Sequence, residues 1–215
     1  MQKVGLLGGT FDPVHKGHLQ LGERVLEKFG LDKIVFIPAA HPPHKNGAVV
    51  GDVEHRLEML KLALAKGPRF ELSRIEVSRD TASYTFDTIH QLRQQSGDRA
   101  LYHFIIGYDA LWEIETWYRW KDLLSTANFI VAVRPGYSLK EIQQLLERNG
   151  FSPDQGNENR FFNERHGNEV LFLTGDIVDI SSTDIRSRIA ANEEWSNLVP
   201  PGVADYITLH RLYGS

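Results

Sequence analysis

Gly8-Gly9-Thr10-Phe11-Asp12-Pro13-Val14-His15-Lys16-Gly17-His18 is the stretch of this chain richest in residues that can do chemistry. The run before it, Val4-Gly5-Leu6-Leu7, has the character of a buried strand, and apolar residues recur at helical spacing after it. Glycines at a strand exit let the backbone turn tightly and approach a ligand, because they carry no Cβ. A helix starting here puts both imidazoles on its first turn, facing one way. Strand, glycine turn and helix N-terminus together make a place for an anion. Two imidazoles in that place suit phosphoryl chemistry. Each part alone has a plainer reading: Gly-Gly as a turn, His15 as a surface or capping residue, His-x-x-His as part of a zinc site. The chain has no cysteine and no third ligand nearby at the usual spacing, which argues against chelation.

Three further strings carry polar chemistry. Ile180-Ser181-Ser182-Thr183-Asp184-Ile185-Arg186 heads a helix. Hydroxyls and amides at such a head bind phosphate oxygens, and Arg186 adds a planar cation for bidentate contact. The same Ser and Thr also read as N-caps. Phe104-Ile105-Ile106-Gly107-Tyr108-Asp109 ends a buried strand, where doubly wound sheets bind ligands. Gly107 permits close approach there and Asp109 can accept hydrogen bonds from ribose hydroxyls, although Gly-x-Asp is equally a plain turn. Last come Ser83-Tyr84-Thr85 at a helix head, Trp117-Tyr118, and the loop Pro42-Pro43-His44-Lys45. A flat aromatic acid suits that set: Trp117 to stack on the ring, the helix head to bind the carboxylate, His44 and Lys45 to hold a phosphate. Taken singly, Trp117 reads as a core or rim aromatic.

The elements that must position these residues alternate. Leu19, Gly22, Val25, Leu26 and Phe29 mark one face of a helix that stops at Gly30, and Ile34 to Ile37 form a second buried strand ending at Pro38. A helix through Arg56, Leu57, Leu60 and Leu64 follows, then an alternating short strand from Phe70 to Val77. Tyr84-Thr85 opens a helix carrying Phe86, Ile89 and Leu92; Leu101 to Ile106 and Phe129 to Val133 are strands, with a Trp-rich helical stretch between them. The polar, Asn-rich residues 152–169 read as an exposed connection, Val170 to Leu173 as a last short strand, and two helices close the chain. Strands alternating with helices imply right-handed crossovers and a parallel sheet covered on both faces. The expectation is an α/β, Rossmann-like, doubly wound and mainly parallel sheet of about five strands, with a small C-terminal helical extension. A length of 215 residues is enough for one such domain, 1–215, and marginal for two.

Composition narrows the partners. A formal net charge of −4 argues against nucleic acid, and no apolar run approaches a membrane span. The opening residues lack the features of a signal peptide, and without cysteine there is neither disulfide nor thiolate catalysis, so a cytoplasmic location is expected. The number of copies in the working particle stays open.

The first string resembles the marker of the nucleotidyltransferase superfamily of adenylyl- and cytidylyltransferases, Gly-x-Phe-Asp-x-x-His-x-Gly-His, and matches it completely from Gly9 to His18. The run from Ile180 to Arg186 resembles the superfamily's second signature, Ile-Ser-Ser/Ala-Thr/Ser-x-x-Arg, in the correct order. Within the superfamily the chain resembles the bacterial nicotinate-mononucleotide adenylyltransferases. That likeness covers nearly its whole length, through Ser-Tyr-Thr and Gly-x-Asp to Arg134-Pro135-Gly136 and Arg186. Phosphopantetheine adenylyltransferases are shorter and lack the Trp-rich segment and the Pro-Pro-His-Lys loop. Cytidylyltransferases usually place Arg-Thr-Glu before the second signature, where this chain has Ile177-Val178-Asp179. One departure is Ala39-Ala40, where some relatives have an asparagine that donates to phosphate, leaving that contact to His44 and Lys45.

The resemblance implies transfer of AMP from ATP to the 5′-phosphate of nicotinate mononucleotide, with His15 and His18 catalytic. It implies ATP binding by Gly8, Gly9, Thr10, Phe11, His15, His18, Gly107, Asp109, Arg134, Ser181, Ser182, Thr183 and Arg186. The acceptor falls to His44, Lys45, Tyr84, Thr85, Asp109 and Trp117. Mg²⁺ arrives on ATP, and no metal is held by the protein alone. Direct in-line attack suits a chain with no cysteine and no recognisable Ser-His-acid arrangement. Two rivals stand beside this reading: the same transfer to nicotinamide mononucleotide, and a dinucleotide-binding sensor without turnover. The sensor explains the glycine loop but not two histidines together with Ser-Ser-Thr-x-x-Arg. A hydride-transferring dehydrogenase is weaker still, since the turn lacks Gly-x-Gly-x-x-Gly and no acid ends the second strand.

Overall fold

The computed structural model describes residues 1–41, 51–79, 81–133, 139–175 and 178–215, so that His44, Lys45 and Arg134 lie outside the described residues. Its strands are β1 (Gln2–Gly9), β2 (Lys33–Pro38), β3 (Phe70–Leu72), β4 (Ala100–Gly107), β5 (Asn128–Ala132), β6 (Ser152–Asp154), β7 (Asn157–Asn163) and β8 (Asn168–Leu173). Its α-helices are α1 (Lys16–Phe29), α2 (Val53–Leu64), α3 (Thr85–Ser96), α4 (Tyr108–Trp112), α5 (Trp120–Thr126), α6 (Leu139–Arg148), α7 (Ser182–Ala190) and α8 (Pro201–Leu209). Among the described residues no helix is long and apolar enough to cross a membrane.

All the strands join one sheet in the order β3-β2-β1-β4-β5-β8-β7-β6. The pairs from β3 to β8 are parallel, while β7 runs antiparallel to β8 and β6 to β7. Successive side chains of a strand point to opposite faces, and here both faces are apolar. Leu6, Phe104, Ile106, Phe129 and Val131 enter one core, with Ile89 of α3, Leu111 of α4, Leu123 of α5 and Ile142 of α6. Leu7, Ile105 and Ile130 enter the other, with Val25 of α1, Leu60 of α2, Ile185 of α7 and Val203 of α8. Double coverage is what a parallel sheet requires. The first helix ends where its glycine predicts: Gly30 takes a left-handed φ of 61° and donates its N–H to Leu26 O.

The sheet is larger than the sequence led one to expect, with eight strands among the described residues rather than about five. Residues 152–169 are largely exposed, as expected, but they are not an irregular connection: most of them form the hairpin β6–β7 and the start of β8. The asparagines there mislead because two of them are buried and used. Asn168 Nδ2 donates to Leu124 O (2.6 Å) and Ala127 O (2.8 Å), and Asn163 Nδ2 to Asn149 O (3.3 Å). A buried amide that pairs with backbone carbonyls costs little, so polarity did not mean exposure. The strand expected from Phe70 to Val77 stops at Leu72, and the chain then turns.

A buried cation closes the end of the sheet that carries the glycine turn. Arg56 is 1% exposed; its Nε donates to Gly51 O (2.9 Å) and its Nη1 to Thr10 O and Ala39 O (both 2.8 Å). The exits of β1 and β2 are thereby tied to the start of α2. Arg56→Met keeps much of the volume but leaves those carbonyls unpaired. It is expected to cost about 3–5 kcal/mol, lowering Tm on the order of 10 °C by calorimetry. Arg74→Met, at an exposed pair with Glu54, is the control and should move Tm little.

Candidate active site

Strand β1 lies between β2 and β4, so the chain order reverses at its edge with β4. Ligands of open α/β sheets bind outside the carboxyl ends of the strands at such a reversal. A cleft opens there, bordered by Gly8, Gly9, Thr85, Glu76, Gly107 and Trp117. At Gly107 a Cβ would meet no atom within 4 Å, and φ is an ordinary −75°; this glycine therefore keeps space open rather than bending the chain. Asp109 is exposed on the first turn of α4, immediately beyond.

The start of α1 holds the two histidines against each other, His15 as its N-cap and His18 on its first turn. Their rings stack at 3.6 Å between centroids, 23° from parallel, and His15 N donates to His18 Nδ1 (3.2 Å). Because His18 Nδ1 accepts, this hydrogen bond assigns the proton of the neutral ring to Nε2. His15 is 5% exposed, while His18 is half-buried. Gly17 permits the stack: a Cβ there would lie 3.1 Å from His15 Nδ1. Phe11 supports it from beneath, 2% exposed, edge-on to His18 at 4.9 Å. Its φ of 52° is unusual for a residue with a side chain, the sort of backbone found where a loop is held for function.

The second signature is bonded directly to the first. Ser182 Oγ donates to Pro13 O (2.9 Å), and Arg186 Nη1 donates to Asp12 O (2.6 Å). Ser181 is the N-cap of α7, accepting from Asp184 N (3.0 Å), so the capping reading holds for this residue. Ser182 is bound to Pro13, while Thr183 is exposed, as are Ser181 and Asp184, and its Oγ1 accepts from Arg186 Nη2 (3.3 Å). Thr183 and Arg186 thus stand together beside the histidine loop.

On the far side of the cleft is the head of α3. Its N-cap Tyr84 makes no side-chain capping bond, leaving first-turn N–H groups for another partner. Tyr84 packs on Tyr118 at 4.5 Å, and Trp117 both lines the cleft and packs on the core, so both of its readings apply. Ser83 Oγ accepts from Ala40 N (3.2 Å) and His41 N (3.3 Å), tying the loop after β2 to this helix. Among the described residues no three His, Cys, Asp or Glu side chains group as ligands to a metal.

Three participants escape a reading of the sequence. Arg56 interrupts an apolar helical stripe, which was a usable signal. Glu76, in the cleft wall, accepts from Thr88 Oγ1 (2.7 Å), to which Arg79 Nη2 also donates (2.5 Å). Tyr213 donates to Asp12 Oδ1 (2.6 Å) from near the C-terminus, with nothing in its neighbours to announce it.

Known proteins bear on this geometry. A family profile described as cytidylyltransferase-like matches residues 6–188. A protein of Trichlorobacter lovleyi called probable nicotinate-nucleotide adenylyltransferase is 42% identical, covering 98% of this chain and 99% of its own. Another of that name from a Thermoanaerobacter species is 39% identical, covering 98% of this chain and 94% of its own. Among solved structures, the nicotinic acid mononucleotide adenylyltransferase of Plasmodium falciparum complexed with NaAD superimposes with a TM-score of 0.77. It is 17% identical and covers 99% of this chain and 98% of its own, a likeness of fold.

The wall of the cleft has a pH dependence of its own. Burial pushes Glu76 above the usual carboxylate range, only partly offset by Thr88, Ser83 and Arg79. The folded chain then retains a proton that the unfolded chain has released, and stability falls as pH rises from the ordinary Glu value through the raised one. Glu76→Gln keeps an acceptor for Thr88 and removes the titration. Its Tm measured against pH should therefore decline less over that window than the wild type's; parallel curves would show that Glu76 does not titrate there.

Proposed function

The chain belongs to the cytidylyltransferase-like family and, within it, to the nicotinate-nucleotide adenylyltransferases, and on that premise we propose its reaction and the parts its residues play. It transfers AMP from ATP to the 5′-phosphate of nicotinate mononucleotide, forming deamido-NAD and pyrophosphate. One observation carries this reading: strings some 170 residues apart, the Gly8–His18 loop and the head of α7, are bonded to each other, and the loop begins with the two glycines that border the cleft.

An oxygen of the acceptor phosphate attacks the α-phosphorus in line, and the bond to the bridging oxygen of pyrophosphate breaks. Catalysis is positioning together with stabilisation of charge spread over phosphoryl oxygens. His18 Nε2–H meets the α-phosphoryl group, with His15 holding its ring. Gly8, Gly9, Thr10 and Phe11 let the nucleotide lie close to the backbone. Ser181, Ser182, Thr183 and Arg186 hold the β- and γ-phosphates, the first two through the helix head they build and the last two through their side chains. Arg134 joins them, and Gly107 and Asp109 take the ribose. Mg²⁺ enters as part of the ATP substrate and neutralises the departing pyrophosphate. The acceptor ring lies against Trp117 with its carboxylate at the N–H groups of the helix head that Tyr84 caps, from Thr85 onward, since Tyr84 N already donates to Ala82 O (2.9 Å), and its phosphate goes to His44 and Lys45. The whole chain, 1–215, acts as one domain in the cytoplasm.

Pyrophosphate release, measured with ATP or CTP against a panel of phosphate acceptors, tests the assignment. ATP with nicotinate mononucleotide should give turnover; silence with every mononucleotide would leave a binding protein without this activity. His18→Ala should lower kcat roughly 10²-fold or more while changing ATP affinity less. A folded variant with near-normal kcat removes His18 from that role.

Acceptor choice follows from the donors at the α3 head. They favour a carboxylate, whereas the amide of nicotinamide mononucleotide presents N–H groups to N–H groups. Mismatches of that kind cost about 1–3 kcal/mol each, so kcat/KM should favour the acid on the order of 10²-fold. Equal kcat/KM in competition kinetics would remove the acceptor assignment and leave adenylyl transfer in place.

A further inference from the structure

Asp12 sits inside the first signature, yet no step above uses its carboxylate. It is 2% exposed, and each of its oxygens is occupied: Oδ2 accepts from Gly51 N (3.0 Å) and Oδ1 from Tyr213 Oη (2.6 Å). Gly51 can come so near only as a glycine, since a Cβ there would lie 2.6 Å from Asp12 Oδ1. Arg186 bonds to the Asp12 carbonyl at 2.6 Å but stands 4.0 Å from its carboxylate.

That offset has a physical reason to matter. A carboxylate withdrawn from water attracts a nearby guanidinium strongly, and the two shapes fit each other bidentately. Arg186 paired in that way would turn its donors inward and lose them for phosphate. Hydrogen bonds from Gly51 and Tyr213 take one acceptor site on each oxygen and hold the carboxylate where it is, 4.0 Å from the guanidinium rather than forked against it. The tail is shaped to deliver the hydroxyl: Arg211 (φ 50°) and Tyr213 (φ 62°) both take left-handed backbone that residues with side chains rarely adopt. Burial, with Asp12 beside it, pushes the Tyr213 hydroxyl far above its usual range, so it stays a donor throughout the working pH range.

We infer that Tyr213 is a positioning residue for the nucleotide site: by occupying the Asp12 carboxylate it keeps the Arg186 guanidinium turned toward the triphosphate. The inference rests on the reading that Arg186 meets the phosphates of ATP. It assigns to the C-terminal turn a part in binding one substrate and not the other.

Tyr213→Phe removes the hydroxyl and keeps the ring. Steady-state kinetics should show KM for ATP raised about tenfold, the scale of one unpaired buried acceptor, with KM for the mononucleotide within about twofold. Equilibrium binding of ATP to the free protein should weaken in step. In an Asp12→Asn background, which lacks the charge that competes for Arg186, adding Tyr213→Phe should change KM for ATP by less than about twofold. A purely structural role predicts otherwise: both Michaelis constants rise together, and the penalty is the same with Asp12 or Asn. Either result overturns the inference, as does wild-type ATP affinity in Tyr213→Phe. If Asp12→Asn does not fold, the split between the two Michaelis constants decides alone. Failure of the reaction itself looks different, since a wild-type protein releasing no pyrophosphate can still be compared with Tyr213→Phe by ATP binding.

Discussion

Asp12 and Pro13 bring two carbonyls and a carboxylate to the crowded exit of β1, where polar groups withdrawn from water must find partners. Nearly everything at this end of the molecule answers that demand. Arg186 and Ser182 reach across from α7 to the two carbonyls, while Gly51 and Tyr213 take the carboxylate. Arg56 does the same for Thr10, Ala39 and Gly51 from α2. Strand ends and helix heads that are remote in the chain are thus fixed to a common point. The two histidines stand on the helix that leaves this point, so their placement follows from the pairing of the loop beneath them.

The sheet decides where that point lies. Coverage of both faces forces the helices to alternate sides, and the reversal of chain order between β1 and β4 leaves a crevice that no crossover covers. Residues with small or absent side chains keep it open, Gly107 most plainly, since a Cβ there would meet only space. Trp117 and the head of α3 border it, and so does the Gly8-Gly9 turn, from which the chain leads to the histidines and, through Asp12 and Pro13, to α7. The two neighbourhoods differ in chemistry: aromatic surface at the first, imidazole, hydroxyl and guanidinium beyond the second. Such a cleft suits two unlike partners that must meet at phosphorus.

Away from the cleft, buried polarity extends the sheet rather than doing chemistry. His103 on β4, 3% exposed, lies 3.4 Å from Glu169 on β8, and Arg160 on β7 bonds to the same carboxylate at 2.7 Å. The bond to His103, and after it Arg160, hold Glu169 below the usual carboxylate range despite burial. With the asparagine amides of β7 and β8, this network ties the antiparallel hairpin onto an otherwise parallel sheet.

The sequence by itself determined the class of fold, the strands β1, β2, β4 and β5, the ends of α1 and the identity of both signatures. These are local properties: periodicity, caps, and residue types at fixed spacing set by bonds a few residues long. It also put Gly107 at the carboxyl end of a buried strand, and that is where the cleft opens, because the carboxyl ends of parallel strands share an edge. Tertiary structure alone decided the rest. Whether Ser182 meets solvent or Pro13 depends on how α7 crosses β1, and no local pattern encodes a bond between residues 169 positions apart. The hairpin of β6 and β7 escaped notice because Asn163 and Asn168 are polar by type and buried by context, their amides consumed by carbonyls of other elements. Tyr213 is the extreme case. A tyrosine in a terminal turn meets the first signature only because folding brings its hydroxyl 2.6 Å from the Asp12 carboxylate, 201 residues away in the chain.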